Sequence, residues 1–227
     1  MPVQIISIEG NIGSGKSTLL ANLKTRFSNI VFLKEPVDEW SNIKDEHNVT
    51  ILEKFYKDQE KYSFSFQMMA YISRLKLLKQ AVENHSSSSS SCENLIIITE
   101  RSLYTDKCVF AKMLYDAGKI EKINYQIYLQ WFDTFIQEFP VHKVIYVKTD
   151  PEMCHHRISI RHREGESNIP LEYLQSCDQY HDAMLNTNST ECVCTNQLVL
   201  NGNPNIYENS HILDDWIQQI QAFLQSK

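Results

Sequence analysis

The sequence has 227 residues, of which 42% are apolar and 22% are charged, enough for one α/β domain with a real core. Its net charge of −6 excludes the broad basic surface that binds a nucleic acid polymer or an anionic membrane. Six cysteines without a C-x-x-C pair indicate reduced thiols. No signal peptide or membrane-spanning run is visible, so we expect a cytoplasmic protein without a membrane partner.

Short apolar runs alternate along the chain with longer segments of helical period, a pattern typical of a parallel sheet with crossover helices. The predicted strands are residues 3–8, 30–34, 95–99, 143–148 and 197–201. The predicted helices are residues 16–27, 50–84, 104–117, 121–138, 151–160, 170–185 and 210–225. The sequence therefore predicts a single α/β domain over residues 1–227, with a five-stranded parallel sheet flanked by helices.

A serine run, HSSSSSSC, interrupts this pattern at residues 85–92. Serine side chains bury little apolar surface and cannot offset the entropy lost on ordering the chain. We therefore predict a flexible surface insert between a long helix and the strand at 95–99.

A glycine-rich stretch follows the first predicted strand and matches the pattern G-x-x-x-x-G-K-[ST]. The backbone N–H groups of such a loop, with the N-terminus of the following helix, point at a polyphosphate. Lys16 adds a charge for the β- and γ-phosphates, and the Ser17 hydroxyl is a candidate Mg²⁺ ligand. The candidate phosphate-binding residues are Gly10, Asn11, Gly13, Ser14, Gly15, Lys16, Ser17 and Thr18. A glycine-rich turn without a ligand is the alternative, but the flanking strand and helix favour a nucleoside triphosphate site.

Two acidic residues end predicted strands: Glu35 after residues 30–34 and Glu100 after 95–99. Ligands of open parallel sheets bind beyond the carboxyl ends of the strands, so both acids would face the same phosphates. One would act as a base and the other as a magnesium partner. Arg101 follows directly and would lie where charge develops during phosphoryl transfer. Ordinary solvated loop positions are the alternative for both acids.

Three arginines, Arg157, Arg161 and Arg163, lie in and after the helix at 151–160. The sequence EGE at 164–166 indicates that this helix gives way to a loop. Beside a phosphate-binding loop, such a cluster fits an arginine-rich lid over about residues 157–168 that closes on the transferring phosphate. A solvated helix end is the alternative interpretation.

Five separated motifs lie between about residues 3 and 185: GNIGSGKST, EPVDEW, SFSFQ with AYISR, ERSLYTD, and RISIRHRE with IPLEYL. In sequence and in order they resemble the motifs of the deoxynucleoside kinase family, which includes deoxycytidine, deoxyguanosine and mitochondrial thymidine kinases. The resemblance implies a P-loop kinase that uses ATP and Mg²⁺ to phosphorylate the 5′-hydroxyl of a deoxyribonucleoside. It also implies that Glu35 is the general base, that Arg101 lies near that hydroxyl, and that Glu100 is associated with magnesium.

The same resemblance implies a nucleoside pocket. Tyr56 and Glu172 match the pair that holds the sugar 3′-hydroxyl, and Gln67 matches the glutamine that binds the base. The aromatic walls implied around the base are Trp40, Phe66 and Phe110, and the implied lid arginines are Arg157, Arg161 and Arg163. A flat base suits aromatic faces and one bidentate amide, although core packing is the alternative for the tryptophan and phenylalanine.

Base preference is implied by Arg74 and Asp106, which match positions that are apolar in the thymidine-accepting relatives. A buried arginine–aspartate pair offers donors and acceptors to an exocyclic amine and crowds the space of a thymine methyl group. We therefore expect a deoxypurine nucleoside or deoxycytidine as substrate, and poor use of thymidine.

Two further features carry expectations about the nucleotide donor and the oligomer. NGNPN at 201–205 lies where a loop contacting the donor's adenine is expected, with a plain turn as the alternative. The helices at 104–117 and 121–138 have apolar stripes wider than one core face needs, and the family pairs helices here in a homodimer. The stripe residues are Tyr115, Ile123, Ile127, Trp131 and Phe135.

Two rival functions share the P-loop. A nucleoside monophosphate kinase such as thymidylate kinase would need arginines for an acceptor phosphate, and typically a DR pair where this chain has Glu100-Arg101. A GTP-dependent switch would need a guanine signature N-K-x-D, which the sequence lacks after its later strands.

Overall fold

A five-stranded parallel sheet forms the centre of the computed structural model, which describes residues 3–87, 94–161, 163, 165–166 and 169–226. Its strand order is β2-β3-β1-β4-β5. The strands are β1 (Val3–Glu9), β2 (Val31–Leu33), β3 (Leu95–Glu100), β4 (Lys143–Lys148) and β5 (Gln197–Asn201). All five predicted strands are confirmed. The edge strand β2 is shorter than the predicted 30–34, and the other edge strand, β5, leaves Val199 exposed.

Helices connect the strands and cover both faces of the sheet. Their bounds are α1 (Lys16–Arg26), α2 (Val37–Trp40), α3 (Ile51–Lys57), α4 (Gln59–Ser86), α5 (Leu103–Thr105), α6 (Lys112–Asp116), α7 (Lys122–Phe135), α8 (Pro151–Arg161), α9 (Leu171–Met184) and α10 (Ser210–Gln225). A π-helical segment, Asp106–Ala111, joins α5 to α6, and a 3₁₀ turn, Ile136–Glu138, follows α7. Within the described parts of the chain, every helix is too short or too polar to cross a bilayer.

The predicted helix at 50–84 is two helices. Thr50 and Glu53 form a capping box at the start of α3, and the Asp58 side chain accepts a hydrogen bond from the Lys61 backbone at the start of α4. Asp58 itself has φ −145° and ψ 80°, which ends the first helix. Helix α4 then continues to Ser86, so the first residues of the serine run are helical. Residues 88–92 of the predicted flexible insert lie outside the described residues.

Two apolar layers hold the helices on the sheet. Helices α4 and α7 pack on one face through residues such as Tyr71, Leu75, Leu78, Tyr128 and Phe132. Helices α1 and α10 pack on the other face through residues such as Leu19, Leu20, Leu23, Trp216, Ile217 and Ile220. The sheet is thereby fixed between two layers, and its carboxyl edge presents the loops that follow β1, β2 and β3.

The loop after β1 needs glycine at two positions where the backbone passes close to other chain segments. A Cβ atom on Gly10 would lie 2.6 Å from the carbonyl oxygen of Val147, and one on Gly13 would lie 2.7 Å from that of Cys154. Both residues also have positive φ angles, 144° and 80°. The glycines therefore let this loop pack against β4 and α8 while it keeps the shape of a phosphate cradle.

Candidate active site

A cavity of about 720 Å³ opens at the carboxyl edge of the sheet. Its wall combines the loop after β1, the ends of β2 and β3, helices α3 and α4, the π-helical segment, helix α8 and residues 203–208. The cavity thus lies where open parallel sheets bind ligands. One continuous space reaches from the P-loop to an aromatic pocket, which is large enough for two substrates.

The P-loop forms one end of this cavity. Of the eight candidate residues in the loop, the wall contains Gly13, Gly15, Lys16, Ser17 and Thr18, whereas Gly10, Asn11 and Ser14 are buried in the packing of the loop. The Asn11 amide donates to the Leu174 carbonyl of α9 at 2.8 Å. The Lys16 ammonium group donates to the Asn11 carbonyl at 2.6 Å.

Lys16 is buried, and this burial, together with the nearby Arg101, lowers the pKa of its ammonium group to about 7. A polyphosphate beside Lys16 would favour the charged form.

Ser17 and Glu100 are in direct contact, since the Ser17 hydroxyl donates to Glu100 Oε1. The other oxygen of Glu100 accepts from the Glu35 backbone N–H at 3.4 Å. A hydroxyl and a carboxylate beside a phosphate cradle are hard oxygen donors, which suits Mg²⁺. The described residues contain no group of three or more metal-ligating side chains. This donor set fits an ion that binds through one or two protein ligands and completes its shell with phosphate oxygens and water.

Glu35 lies between two arginines at the middle of the cavity. Its Oε1 is 3.2 Å from Arg101 Nε and 3.0 Å from Arg74 Nη2. Burial alone would raise the pKa of Glu35, but the two guanidinium groups outweigh burial and lower it to about 2. Glu35 is therefore an ionised hydrogen-bond acceptor at neutral pH.

Arg74 connects Glu35 to Asp106. Its Nε donates to Asp106 Oδ2 at 2.9 Å, its Nη2 lies 3.3 Å from Asp106 Oδ1, and its Nη1 donates to the Glu100 carbonyl at 2.7 Å. Asp106 and Glu35 outweigh the effect of burial and raise the pKa of the guanidinium group. Asp106 forms part of the cavity wall, whereas Arg74 is buried among its partners. The predicted arginine–aspartate pair therefore exists, with the carboxylate facing the ligand space.

Aromatic side chains form the opposite end of the cavity. Trp40 and Phe66 meet edge to face at 5.6 Å, and the Trp40 indole N–H donates to Ser73 Oγ at 2.9 Å. Phe110 also belongs to the wall. Gln67 is buried there, and its Oε1 has no hydrogen-bond partner among the described residues. An unpaired buried amide oxygen beside a flat aromatic slot fits a planar ligand that carries a donor.

The structure adds Phe55 to this aromatic slot, which sequence analysis did not single out. Its ring stacks on Phe66 with centroids 4.5 Å apart and an interplanar angle of 10°. In the sequence, Phe55 stands out only as the aromatic residue before Tyr56. Because adjacent residues of a helix face different directions, this position alone does not predict that Phe55 lies in the same pocket as Tyr56.

The proposed partner of Tyr56 needs a correction. Tyr56 lies in the cavity wall as expected, but Glu172 is exposed at the start of α9 and apart from the described wall. The carboxylate that lies in the wall near Tyr56 is Glu166. Burial and the Glu166 charge raise the pKa of the Tyr56 phenol well above its ordinary value, so the phenol is a hydrogen-bond donor.

All three candidate arginines of the lid lie in the cavity wall. Arg157 Nη2 donates to the carbonyls of Asn203 and Pro204 at 3.0 and 3.2 Å. Arg161 and Arg163 both contact the Glu166 carboxylate, the latter at 3.1 Å. Residues 162, 164, 167 and 168 of the predicted lid lie outside the described residues. Arg157 also donates to the Ser14 carbonyl of the P-loop at 3.4 Å, so this arginine lies at the phosphate end of the cavity, whereas Arg161 and Arg163 are held by Glu166.

The loop after β5 contributes to the same end. Asn203 and Asn205 of the NGNPN stretch lie in the wall, together with Tyr207 and Glu208. The Asn203 side chain also exchanges two hydrogen bonds of 2.9 Å with Asp150, which precedes α8. This contact fixes the loop beside Arg157, and the location favours the donor-contacting interpretation over a plain turn.

A P-loop, a carboxylate between arginines and an aromatic slot in one cavity define a phosphotransferase of the P-loop kinase class. The deoxynucleoside kinase family model matches residues 6–225. A mitochondrial deoxyguanosine kinase from Xenopus laevis is 30% identical, with 99% of this chain and 91% of the relative aligned. Deoxycytidine kinase 1 from the same organism is 31% identical over 98% and 91% of the two chains. Human deoxycytidine kinase is 32% identical over 81% and 75%. The chain belongs to the deoxynucleoside kinase family.

Proposed function

We propose that this kinase transfers the γ-phosphoryl group of ATP to the 5′-hydroxyl of a deoxyribonucleoside, a step of nucleotide salvage. The observation that carries the proposal is Glu35, which lies with Arg101 between the P-loop and the aromatic slot. A hydroxyl bound there would face a γ-phosphate in the P-loop. Family membership and the names of the relatives support the same reaction.

The reaction forms a bond between the 5′-oxygen and the γ-phosphorus and breaks the bond from that phosphorus to the oxygen of ADP. The 5′-hydroxyl donates a hydrogen bond to Glu35, and its proton passes to that carboxylate as the oxygen bonds to phosphorus. Because the two guanidinium groups lower the pKa of Glu35, its carboxylate is a weak base, and the proton is transferred late, after the oxygen has become acidic. Arg101 stabilises the charge that develops between acceptor and phosphate.

The donor triphosphate would bind the P-loop through backbone N–H groups and Lys16, with Arg157, Arg161 and Arg163 around it as the arginine-rich lid. Ser17 and Glu100 would hold Mg²⁺. The ion supplies neutralisation of phosphate charge when it is bound.

The nucleoside would occupy the aromatic slot. Trp40, Phe55 and Phe66 surround the base, and the free oxygen of Gln67 accepts a hydrogen bond from it. Asp106 beside Arg74 accepts from an exocyclic amine and crowds a thymine methyl group, which supports a deoxypurine nucleoside or deoxycytidine as substrate. The relatives named deoxyguanosine and deoxycytidine kinases support the same preference.

The sugar would be held by Tyr56 and by Glu166, which replaces Glu172 in this role. The Tyr56 phenol donates to the 3′-oxygen, and the Glu166 carboxylate accepts from the 3′-hydroxyl. Glu166 already contacts Arg161 and Arg163, so sugar binding and lid position share one carboxylate.

The homodimer and the cytoplasmic location belong to the same proposal. Ile123 and Trp131 of α7 are 63% and 46% exposed, and Ile127 and Ile72 add to this apolar surface. Exposed apolar residues at helical spacing on α7 support pairing with a second copy. The proposed cytoplasmic location rests on the sequence alone, whereas one relative is named mitochondrial. Fluorescence microscopy of the tagged full chain would test this location.

A substrate panel tests this function. The enzyme would be assayed with ATP and Mg²⁺ against the four deoxynucleosides and, separately, their monophosphates. We expect phosphorylation of deoxynucleosides and a low kcat/KM for thymidine. Consumption of ATP only with monophosphates would identify a thymidylate kinase-like enzyme. A parallel assay would supply GTP without an acceptor, and slow hydrolysis with retained GDP would identify a nucleotide switch.

A further inference from the structure

A wholly buried histidine, His181 of α9, lies behind the proposed reaction centre. Its Nδ1 is 2.7 Å from the carbonyl oxygen of Cys177. A carbonyl oxygen only accepts hydrogen bonds, so the ring hydrogen must be on Nδ1, and Nε2 carries a lone pair. The main chain of α9 therefore fixes both the tautomer and the direction in which the basic nitrogen points.

The lone pair of His181 faces Arg101. Nε2 lies 3.4 Å from Arg101 Nη1, which also donates to the Gly10 carbonyl at 2.9 Å. The opposite edge of the same guanidinium group contacts Glu35 through Nε. Arg101 is thus held from behind by the P-loop and His181 while its front edge pairs with the proposed base.

The surroundings keep the imidazole in place and neutral. Its ring is nearly parallel to Tyr146 at 6.3 Å and perpendicular to Phe110 at 6.4 Å. Phe110 in turn lies under the Arg101 guanidinium group at 4.9 Å. Burial, and then the Arg101 charge, lower the pKa of His181 well below its usual value. A neutral ring accepts a hydrogen bond from a cation, whereas an imidazolium would repel it.

The backbone of Arg101 is strained, which is a second sign that this residue is held in a particular position. Its φ angle is +65°, a left-handed conformation that costs a non-glycine residue free energy. The Arg101 N–H donates to the Ile8 carbonyl at 2.9 Å, which fixes the main chain, but the long side chain needs its own partners. A strained residue whose side chain is held from several directions is typical of a preorganised catalytic group.

We propose that His181 is a positioning residue for phosphoryl transfer, which accepts a hydrogen bond from Arg101 and holds its guanidinium group against Glu35. The proposal rests on the proposed function and adds a residue that never touches the substrates. Since misplacement of a reacting group by about 1 Å costs up to about a hundredfold in rate, loss of this support should lower kcat rather than weaken nucleoside binding.

Two substitutions of His181 test the roles of its two ring nitrogens separately. His181→Gln places an oxygen near the position of Nε2, where it can still accept from Arg101. His181→Asn keeps a donor near Nδ1 for the Cys177 carbonyl and loses the acceptor. We expect kcat to fall about tenfold or more in the asparagine variant and about threefold or less in the glutamine variant, with KM for the deoxynucleoside nearly unchanged in both. Equal losses in the two variants, or losses that follow their melting temperatures, would overturn the proposal.

A double-mutant cycle with Arg101→Met shows whether His181 acts through Arg101. The loss caused by His181→Asn should shrink to less than about twofold once Arg101 is absent. A full loss in both backgrounds would contradict the proposal. The wild-type enzyme alone tests the proposed function, since an inactive wild type refutes that function. A fully active Arg101→Met leaves the function standing and overturns the proposal for His181, which acts through Arg101.

NMR spectroscopy tests the proposal without His181 substitutions, in case the His181 variants do not fold. In ¹⁵N-histidine NMR spectra of the wild-type enzyme, one ring should carry its hydrogen on Nδ1 and should not titrate between about pH 5.5 and 8. Arg101→Met should change the ¹⁵N chemical shift of the unprotonated Nε2 of this ring. The absence of such a ring, or no response to Arg101→Met, would overturn the proposal.

Discussion

Arg101 Nε and Arg74 Nη2 both lie within 3.2 Å of one oxygen atom of Glu35. One arginine comes from the end of β3 and the other from the middle of α4. The carboxylate that we propose as the base is therefore held by two separate elements of the fold. This arrangement keeps Glu35 charged, and it couples the reacting end of the cavity to Asp106, which the same Arg74 binds at the base end.

The correction at the sugar site gives a matched pair of variants. Glu166→Gln should raise KM for the deoxynucleoside about tenfold or more, because a hydrogen bond to a charged acceptor is lost. Glu172→Gln, an exposed change nearby, should stay within about twofold of wild type. Steady-state kinetics with a deoxynucleoside and its 3′-deoxy analogue measure both effects.

In the wild type the 3′-deoxy analogue should be the poorer substrate. That difference should largely disappear in Glu166→Gln and persist in Glu172→Gln. The opposite pattern would return the sugar contact to Glu172.

Asp106 should control discrimination against thymidine. Asp106→Ala removes the acceptor for an exocyclic amine and leaves room for a methyl group, so kcat/KM for thymidine relative to deoxycytidine should rise about tenfold or more. Asp116→Ala is the control, since Asp116 is exposed at the end of α6 and pairs there with Lys112 and Tyr180. An unchanged ratio in Asp106→Ala would remove this residue from base selection.

The exposed surface of α7 should be a dimer interface. Sedimentation of the wild type should give twice the chain mass of 26.5 kDa. Trp131→Glu should shift the mass toward that of a single chain, because a charge in an apolar interface is not compensated. Ile43→Glu, which changes an isoleucine of the loop after α2 that is exposed to a similar degree, should stay dimeric. A monomeric wild type would exclude the dimer. A dimeric Trp131→Glu would place the dimer interface on another surface.

Asp45 should contribute a pH-dependent part of the stability. A hydrogen bond from Lys54 and a second from the Val49 backbone lower the pKa of Asp45 from 3.8 to about 2. Between these two pKa values the unfolded chain binds more protons than the folded chain. The stabilisation from the Asp45 carboxylate is therefore complete above about pH 4 and is lost as the pH falls toward 2.

Asp45→Asn should accordingly lower the free energy of unfolding at pH 7 and have less effect at pH 3, measured by urea denaturation. A difference between wild type and variant that is constant with pH would show that this ion pair does not carry the effect.

The strands and the P-loop were predictable because they depend on local signals. Strand β4 at 143–148 has an apolar run, VIYV, between two lysines, and a glycine pattern with a lysine at a strand–helix junction is specific by itself. The break at Asp58 was missed, because the same polar residue fits the surface of a continuous helix. The π-helical turn at Asp106–Ala111 was missed too, since its composition differs little from that of an α-helix.

Tertiary placement limited the prediction of the site. Glu166 and Glu172 are both acidic residues near the end of the lid, and which one enters the cavity depends on the turn at Gly165, where φ is +84°. His181 lies about eighty residues from Arg101, and only the packing of α9 under β4 brings the two together. Sequence patterns specify neighbours along one element, not contacts between distant ones.

The central claim is that Glu35 accepts the hydroxyl proton in the transfer step. Its most direct test is the single-turnover rate of Glu35→Gln at saturating ATP, Mg²⁺ and deoxynucleoside, with Glu39→Gln, an exposed acid four residues later, as the control. We predict a rate at least about a hundredfold below wild type in Glu35→Gln, with nearly unchanged deoxynucleoside binding and a normal rate in the control. A wild-type rate in Glu35→Gln would contradict the account.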